Sequence, residues 1–208
     1  HEYIDHAEAA GLVAPAKEIV IVESIHEKPV TKIAGKAFSH QEEIEYVSVG
    51  KSVSEIGYLA FSGCDHLLRV DLPESLDVVG ESAFNNCRAL KFISPLTGVK
   101  CIMTRAFQNC ASLEKVILGD QLKTLRCRAF SGCKSLREVS AGPALVRIED
   151  RTFQGCSQLE KADFRGEDIT VLARGFLNCA SLEAEPIRAK CKFEGINCFK
   201  GCKDQSNN

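Results

Sequence analysis

The chain lacks any stretch approaching the roughly 20 consecutive apolar residues that a membrane-spanning helix needs, so helical membrane insertion is not expected. It also lacks a basic run. Its 26 Lys and Arg are interspersed among 28 Asp and Glu for a net charge of -2, which argues against nucleic acid or an anionic membrane surface as a partner. The start, His1-Glu2-Tyr3-Ile4-Asp5-His6, has no basic segment followed by an apolar one, the arrangement of a secretory leader. No G-x-x-x-x-G-K-S/T, H-E-x-x-H or G-x-S-x-G string occurs, so neither phosphate-cradling, zinc-protease nor serine-hydrolase chemistry is indicated. No cofactor is expected.

What the chain does have is 45% hydrophobic residues over 208 positions, ample for a continuous core, and a strict period. Phe38, Phe61, Phe84, Phe107, Phe130, Phe153, Phe176 and Phe199 are each 23 residues apart. Positions counted from each Phe recur as well. Offset 3 holds Cys64, Cys87, Cys110, Cys133, Cys156, Cys179 and Cys202; offset 6 holds Ile44 and then Leu67, Leu90, Leu113, Leu136, Leu159 and Leu182. Apolar residues follow at offset 9 (Val47, Val70, Ile93, Val116, Val139) and, in several units, at offset 11 (Val49, Leu72, Leu118). Offsets 6, 9 and 11 spell L-x-x-L-x-L, and a period of 23 falls within the range of leucine-rich repeats.

The two-residue step from offset 9 to offset 11 is strand periodicity, so each unit is expected to give one short strand. Stacked units then form a leucine-rich-repeat solenoid with one parallel sheet along one face. With strands about 4.8 Å apart, seven intervals make it about 35 Å long. Apolar offsets 15 (Val53, Leu76, Val99, Leu122, Leu145) and 18 (Ile56, Val79, Ile102, Leu125, Ile148, Val171) mark the return path that closes the coil. The segment around each Phe is too short for an independent helix and reads as a turn or short helical piece.

Residues 1–30 do not carry the pattern and are expected to be an N-terminal cap, with Glu18-Ile-Val-Ile-Val22 a buried strand and a turn at Lys28-Pro29. The array is expected over 31–202. Its pattern decays at Glu185 and Glu194, as terminal units do, and 203–208 is expected to be a disordered tail.

The string running from Ile56-Gly57-Tyr-Leu-Ala60-Phe61 to Leu72-Pro73 resembles the BspA-like leucine-rich repeats, and Lys28-Pro29-Val30-Thr31-Lys32-Ile33 is similar to that family's opening segment. The likeness covers about 17–202. Met103 and Arg126, which stand where other units have Gly, and Cys198, which stands in place of Ala, depart from it. The resemblance implies an extracellular or cell-surface protein engaged in adhesion to a protein or glycan on a host or neighbouring cell, with no shared catalytic residues.

Eleven cysteines invite chemistry, but seven belong to the offset-3 ladder. Parallel side chains about 4.8 Å apart leave Cβ atoms too far apart for a disulfide, which needs about 3.8 Å, so these read as buried reduced thiols. Cys101 and Cys127 lie off the ladder. Cys191, Cys198 and Cys202 cluster near the end, where a disulfide stays open; their spacing lacks the close pairs of structural zinc. His66 follows Cys64 by two residues, yet a catalytic pair needs an accessible thiolate, and the ladder points Cys64 inward. The phenylalanines read as a core spine.

Outward side chains of the strands fall at offsets 8, 10 and 12. The candidate partner-binding face is therefore Tyr46, Arg69, Asp71, Phe92, Leu96, Lys115, Ile117, Glu138, Lys161, Asp163 and Arg165, a mixed surface in which Tyr46, Phe92, Leu96 and Ile117 supply apolar contact area. Two functions fit: a non-catalytic binding module, or a passive structural spacer or self-associating scaffold. An enzyme is not expected.

Overall fold

A computed structural model of the chain describes residues 17–203. It opens with β1 (Glu18–Ile21), β2 (Ser24–Ile25), β3 (Lys28–Pro29) and β4 (Lys32–Ile33). Each unit then supplies a front strand and a back strand. These are β5 (Tyr46–Val49) and β6 (Glu55–Ile56), β7 (Arg69–Asp71) and β8 (Val78–Val79), and β9 (Phe92–Ile93) and β10 (Cys101–Ile102). They continue as β11 (Lys115–Ile117) and β12 (Thr124–Leu125), β13 (Glu138–Ala141) and β14 (Arg147–Ile148), and β15 (Lys161–Phe164) and β16 (Ile169–Leu172). A short helix α1 (Glu185–Arg188) and β17 (Cys191–Glu194) end the array. The result is a parallel solenoid with a rung every 23 residues in most of the chain, as the period predicts.

Its spine is the phenylalanine column. From Phe38 through Phe153, consecutive rings stack with centroids 5.1 to 5.6 Å apart and planes within 6° of parallel. Phe176 and Phe199 extend the stack. The turn carrying each Phe is built from backbone hydrogen bonds between units: the amides of Leu59, Phe61 and Gly63 donate to the carbonyls of Glu81, Ala83 and Asn85 in the next unit, and this repeats along the chain. Pointing alternate amides the same way requires a left-handed residue two positions before and two after the Phe. Gly63, Asn86 and Asn109 take the second of these positions, where glycine and asparagine cost least; Leu59, Arg105 and Arg128 take the first.

The cysteine ladder has a backbone role. Cys64, Cys87, Cys110, Cys133, Cys156 and Cys179 are buried, and each Sγ donates to the carbonyl of the preceding unit's Phe at 3.0 to 3.2 Å. That carbonyl already accepts the amide of its own unit's Cys, as Phe61 does from Cys64. The thiol thus fills the second lone pair of a buried carbonyl while packing as a small apolar group. Cys202 continues the ladder on Phe176.

The single expected sheet is two structures. The longest is at the back, where eight two- to four-residue strands run unbroken in the order β17-β16-β14-β12-β10-β8-β6-β4. The front sheet is split into β1-β5-β7-β9 and β11-β13-β15. Pro95 causes the break: it sits at offset 11, has no amide to donate, and is exposed rather than inward. The chain slips by one residue, so Leu96 donates its amide to Ile117, bridges Leu118 and takes the inward place. Leu96, expected on the outer face, is consequently buried at 2% exposure, the reversal that a one-residue slip imposes.

Before the array, Glu18–Ile21 joins β5 as a half-buried front strand, with Ile19 and Ile21 inward and Val20 outward. The turn expected at Lys28-Pro29 lies instead at His26 and Glu27, both with positive φ, and Lys28–Pro29 is the second strand of a hairpin with β2. The rest of the expected cap lies outside the described residues. So does the expected disordered tail except Lys203, which bridges Glu183.

Candidate functional site

The front sheet holds the outward side chains in two columns. At offset 8, Tyr46 pairs with Arg69 and Arg69 with Phe92, so an arginine sits between two aromatics on neighbouring rungs. The Arg69 guanidinium carbon lies 4.4 Å from the Phe92 ring centroid, and its Nε donates to both Asp71 oxygens at 2.9 and 3.1 Å. A guanidinium held by a ring on one side and a carboxylate on the other loses little freedom when a partner closes over it. Tyr46 and Phe92 are each 43% exposed.

Val20 joins this group from β1, in register with Ser48 and next to the rung of Asp71. It is 53% exposed and was not among the residues expected from the sequence, because in Glu18-Ile-Val-Ile-Val22 every position after the first is apolar and the alternation is hidden. The matching alternation of Tyr46-Val47-Ser48-Val49 is the signal that identifies it.

Beyond the Pro95 break, a second group contains Lys115, Glu138 and Lys161 in one column and Ile117, Ser140 and Asp163 in the other. Lys115 Nζ lies 2.7 Å from Glu138, whose carboxyl is held below its usual range by that hydrogen bond and by the lysine's charge. Ile117 remains exposed among these charges. Arg165 stands apart at the sheet's edge, paired with Asp120. The structure therefore brings nine of the eleven expected face residues together as two groups on one side, sets Arg165 apart at the edge and leaves Leu96 in the core.

None of this resembles a reaction centre. Burial pushes the Cys64 thiol up to about 11 and Cys133 up to about 12, the opposite of an activated nucleophile. The His66 ring nitrogen Nδ1 lies 2.8 Å from the Glu42 carbonyl. Cys179 and Cys202, hydrogen-bonded to neighbouring ladder thiols, are also raised. All eleven cysteines are free thiols, Cys191, Cys198 and Cys202 included. Among the described residues, no group of three or more His, Cys, Asp or Glu is placed to hold a metal ion, and no helix is long and apolar enough to cross a membrane.

The sequence pattern of the BspA type leucine-rich repeat region matches residues 18–136 and 93–206, in six copies. The chain belongs to this family. Among solved structures, the BspA-type array is similar to the leucine-rich repeat protein of T. pallidum, with TM-score 0.78 and 28% identity over 88% of each chain. It shares its fold with a leucine-rich cell surface protein of Faecalibacterium prausnitzii, with TM-score 0.59 and 21% identity, covering 91% of this chain and 46% of that one. No curated protein matches the chain in sequence. The BspA-type assignment carries the fold and the general character of a repeat protein, and it brings no catalytic residues.

Proposed function

We propose that the chain is a non-catalytic binding module at the cell surface or outside the cell, adhering to a protein or glycan of a host or neighbouring cell through the front sheet. The observation that carries this reading is the group Tyr46, Arg69, Phe92 and Asp71 with Val20 beside it. Aromatic residues and arginine dominate protein interfaces, and here they lie on a rigid sheet with the arginine already oriented. Ile117 extends apolar surface beyond the break. The surface location rests on membership of the BspA-type family and on the likeness to a protein described as a cell surface protein.

The test is binding of purified host matrix proteins to the immobilised chain, compared with a Phe92→Ala, Ile117→Ala variant of unchanged melting temperature. Loss of binding in the variant supports the reading. Binding that survives in the variant and disappears on changing exposed residues of the opposite side, such as Tyr58 or Val146, would overturn it.

A further inference from the structure

The front sheet ends one rung too early. The unit after β15 places Ala184, Glu185, Pro186 and Ile187 at the offsets of a front strand, yet Pro186 has no amide for the ladder and the segment folds as α1. The back sheet continues past this point into β17. Where the missing strand would lie there is instead a groove of about 380 Å³ between β15 and α1.

The wall of this groove is an unpaired strand edge. The amides of Lys161 and Arg165 donate back to Arg137 and Ala141. Strand alternation then directs the N–H and C=O of Ala162 and Phe164 away from β13 and toward the groove, and no described residue hydrogen-bonds to them there. In the rung before, the equivalent carbonyl of Ala141 accepts the amide of Arg165. The interior is apolar, formed by Phe164, Ile169, Leu182 and Ile187. Phe164 fills part of the space the missing strand vacates, with its ring 6.2 Å from Phe153 and 6.3 Å from Phe176.

The rim decides the occupant's charge. Glu160 and Glu183 line the groove but are engaged, with Arg137 at 3.3 Å and Lys203 at 3.8 Å. Lys161, Lys190 and Asp163 also line it, and none of the three has an ion-pair partner within 4.0 Å among the described residues, so the unpaired rim charges sum to one positive charge. We propose that the groove takes an extended acidic peptide of a partner protein, which adds a strand to β15 through Ala162 and Phe164 and sets carboxylates against Lys161 and Lys190. A four-residue edge at about 3.3 Å per residue offers about 13 Å, enough for about four peptide residues.

The probe is a labelled Asp-Val-Ile-Val-Asp peptide, acetylated and amidated, titrated against the protein by fluorescence anisotropy and followed by amide NMR. Saturable binding with shifts centred on Ala162 and Phe164 is expected. A central N-methylated peptide should bind about fivefold or more weakly, since it loses a backbone hydrogen bond worth about 1 kcal/mol. A Lys161→Glu, Lys190→Glu variant, changed only at exposed side chains, should bind about tenfold or more weakly. The Phe92→Ala, Ile117→Ala variant should bind the peptide like the unaltered protein, which separates this groove from the face in the preceding proposal. Absence of saturable binding, equal binding of a Lys-Val-Ile-Val-Lys peptide, or indifference to N-methylation would overturn the assignment. So would self-association that blocks the peptide and is lost in the lysine variant, because the occupant would then be a second copy.

Discussion

The back and front of this solenoid are made by the same 23-residue units and differ in what they tolerate. At the back and along the spine, a Phe recurs at every offset 0, Cys at every offset 3 from Cys64 onward, and eight strands run without interruption. At the front, offset 8 passes through Tyr46, Arg69, Phe92, Lys115, Glu138 and Lys161, and the sheet is cut at Pro95 and ends early at Pro186. No proline lies in a back strand. Stacking identical rings and filling each Phe carbonyl with a thiol demand the same residue in each unit. A solvent-facing position makes no such demand. Variation in one place and repetition in the other are the pattern expected if the front face serves the proposed recognition and the spine serves stability.

The largest effect that sharpens this contrast is expected in the spine. Phe107→Ala removes a fully buried ring stacked on both sides and should cost about 3–5 kcal/mol in urea unfolding. A loss under about 1 kcal/mol would break the contrast.

Next is alkaline sensitivity. A thiol whose folded-state value lies above the 9.0 of a free cysteine favours the folded state while protonated. That stability is fully present below about pH 9 and is lost as pH rises toward the raised values, by about 1.4 kcal/mol per pH unit for each such thiol. Unfolding curves across about pH 8 to about 11 should therefore decline, and more shallowly in Cys133→Ala, whose thiol is pushed up to about 12. Equal slopes in the two proteins would contradict the ladder's role.

A smaller effect is expected from Cys110→Ala, which leaves the Phe84 carbonyl with one donor and a small void; about 1–2 kcal/mol should be lost. In the folded protein, alkylation followed by mass spectrometry should label the partly exposed Cys101, Cys127 and Cys191 well before Cys87, Cys110 or Cys133. Smallest of all, Lys115→Ala at the front breaks an exposed pair with Glu138 and should leave the unfolding midpoint where it was.

Much of this division was legible in the sequence. The period, the inward phenylalanines, the buried thiols and the direction of most front side chains follow from offsets alone. The back sheet is not legible as a sheet, because a two-residue strand such as Glu55–Ile56 shows one apolar residue per unit and no alternation. The offsets put Leu96 outward because they assume constant register, and Pro95 shifts it. The hairpin turn at His26 and Glu27 carries no Gly, Asn or Asp to mark it in the sequence, whereas the nearby Lys28-Pro29 does suggest a turn. The groove beside β15 arises from a strand that fails to form, and the sequence showed this only as a decaying pattern at Glu185.

The division of labour is tested most directly by comparing two urea unfolding curves, one for Phe107→Ala and one for the triple variant Tyr46→Ala, Phe92→Ala, Ile117→Ala. The single spine change should lower stability by several-fold more than the three front changes together. A triple variant as unstable as Phe107→Ala, or more so, would show that the front face is part of what holds the solenoid together and contradict its assignment to recognition.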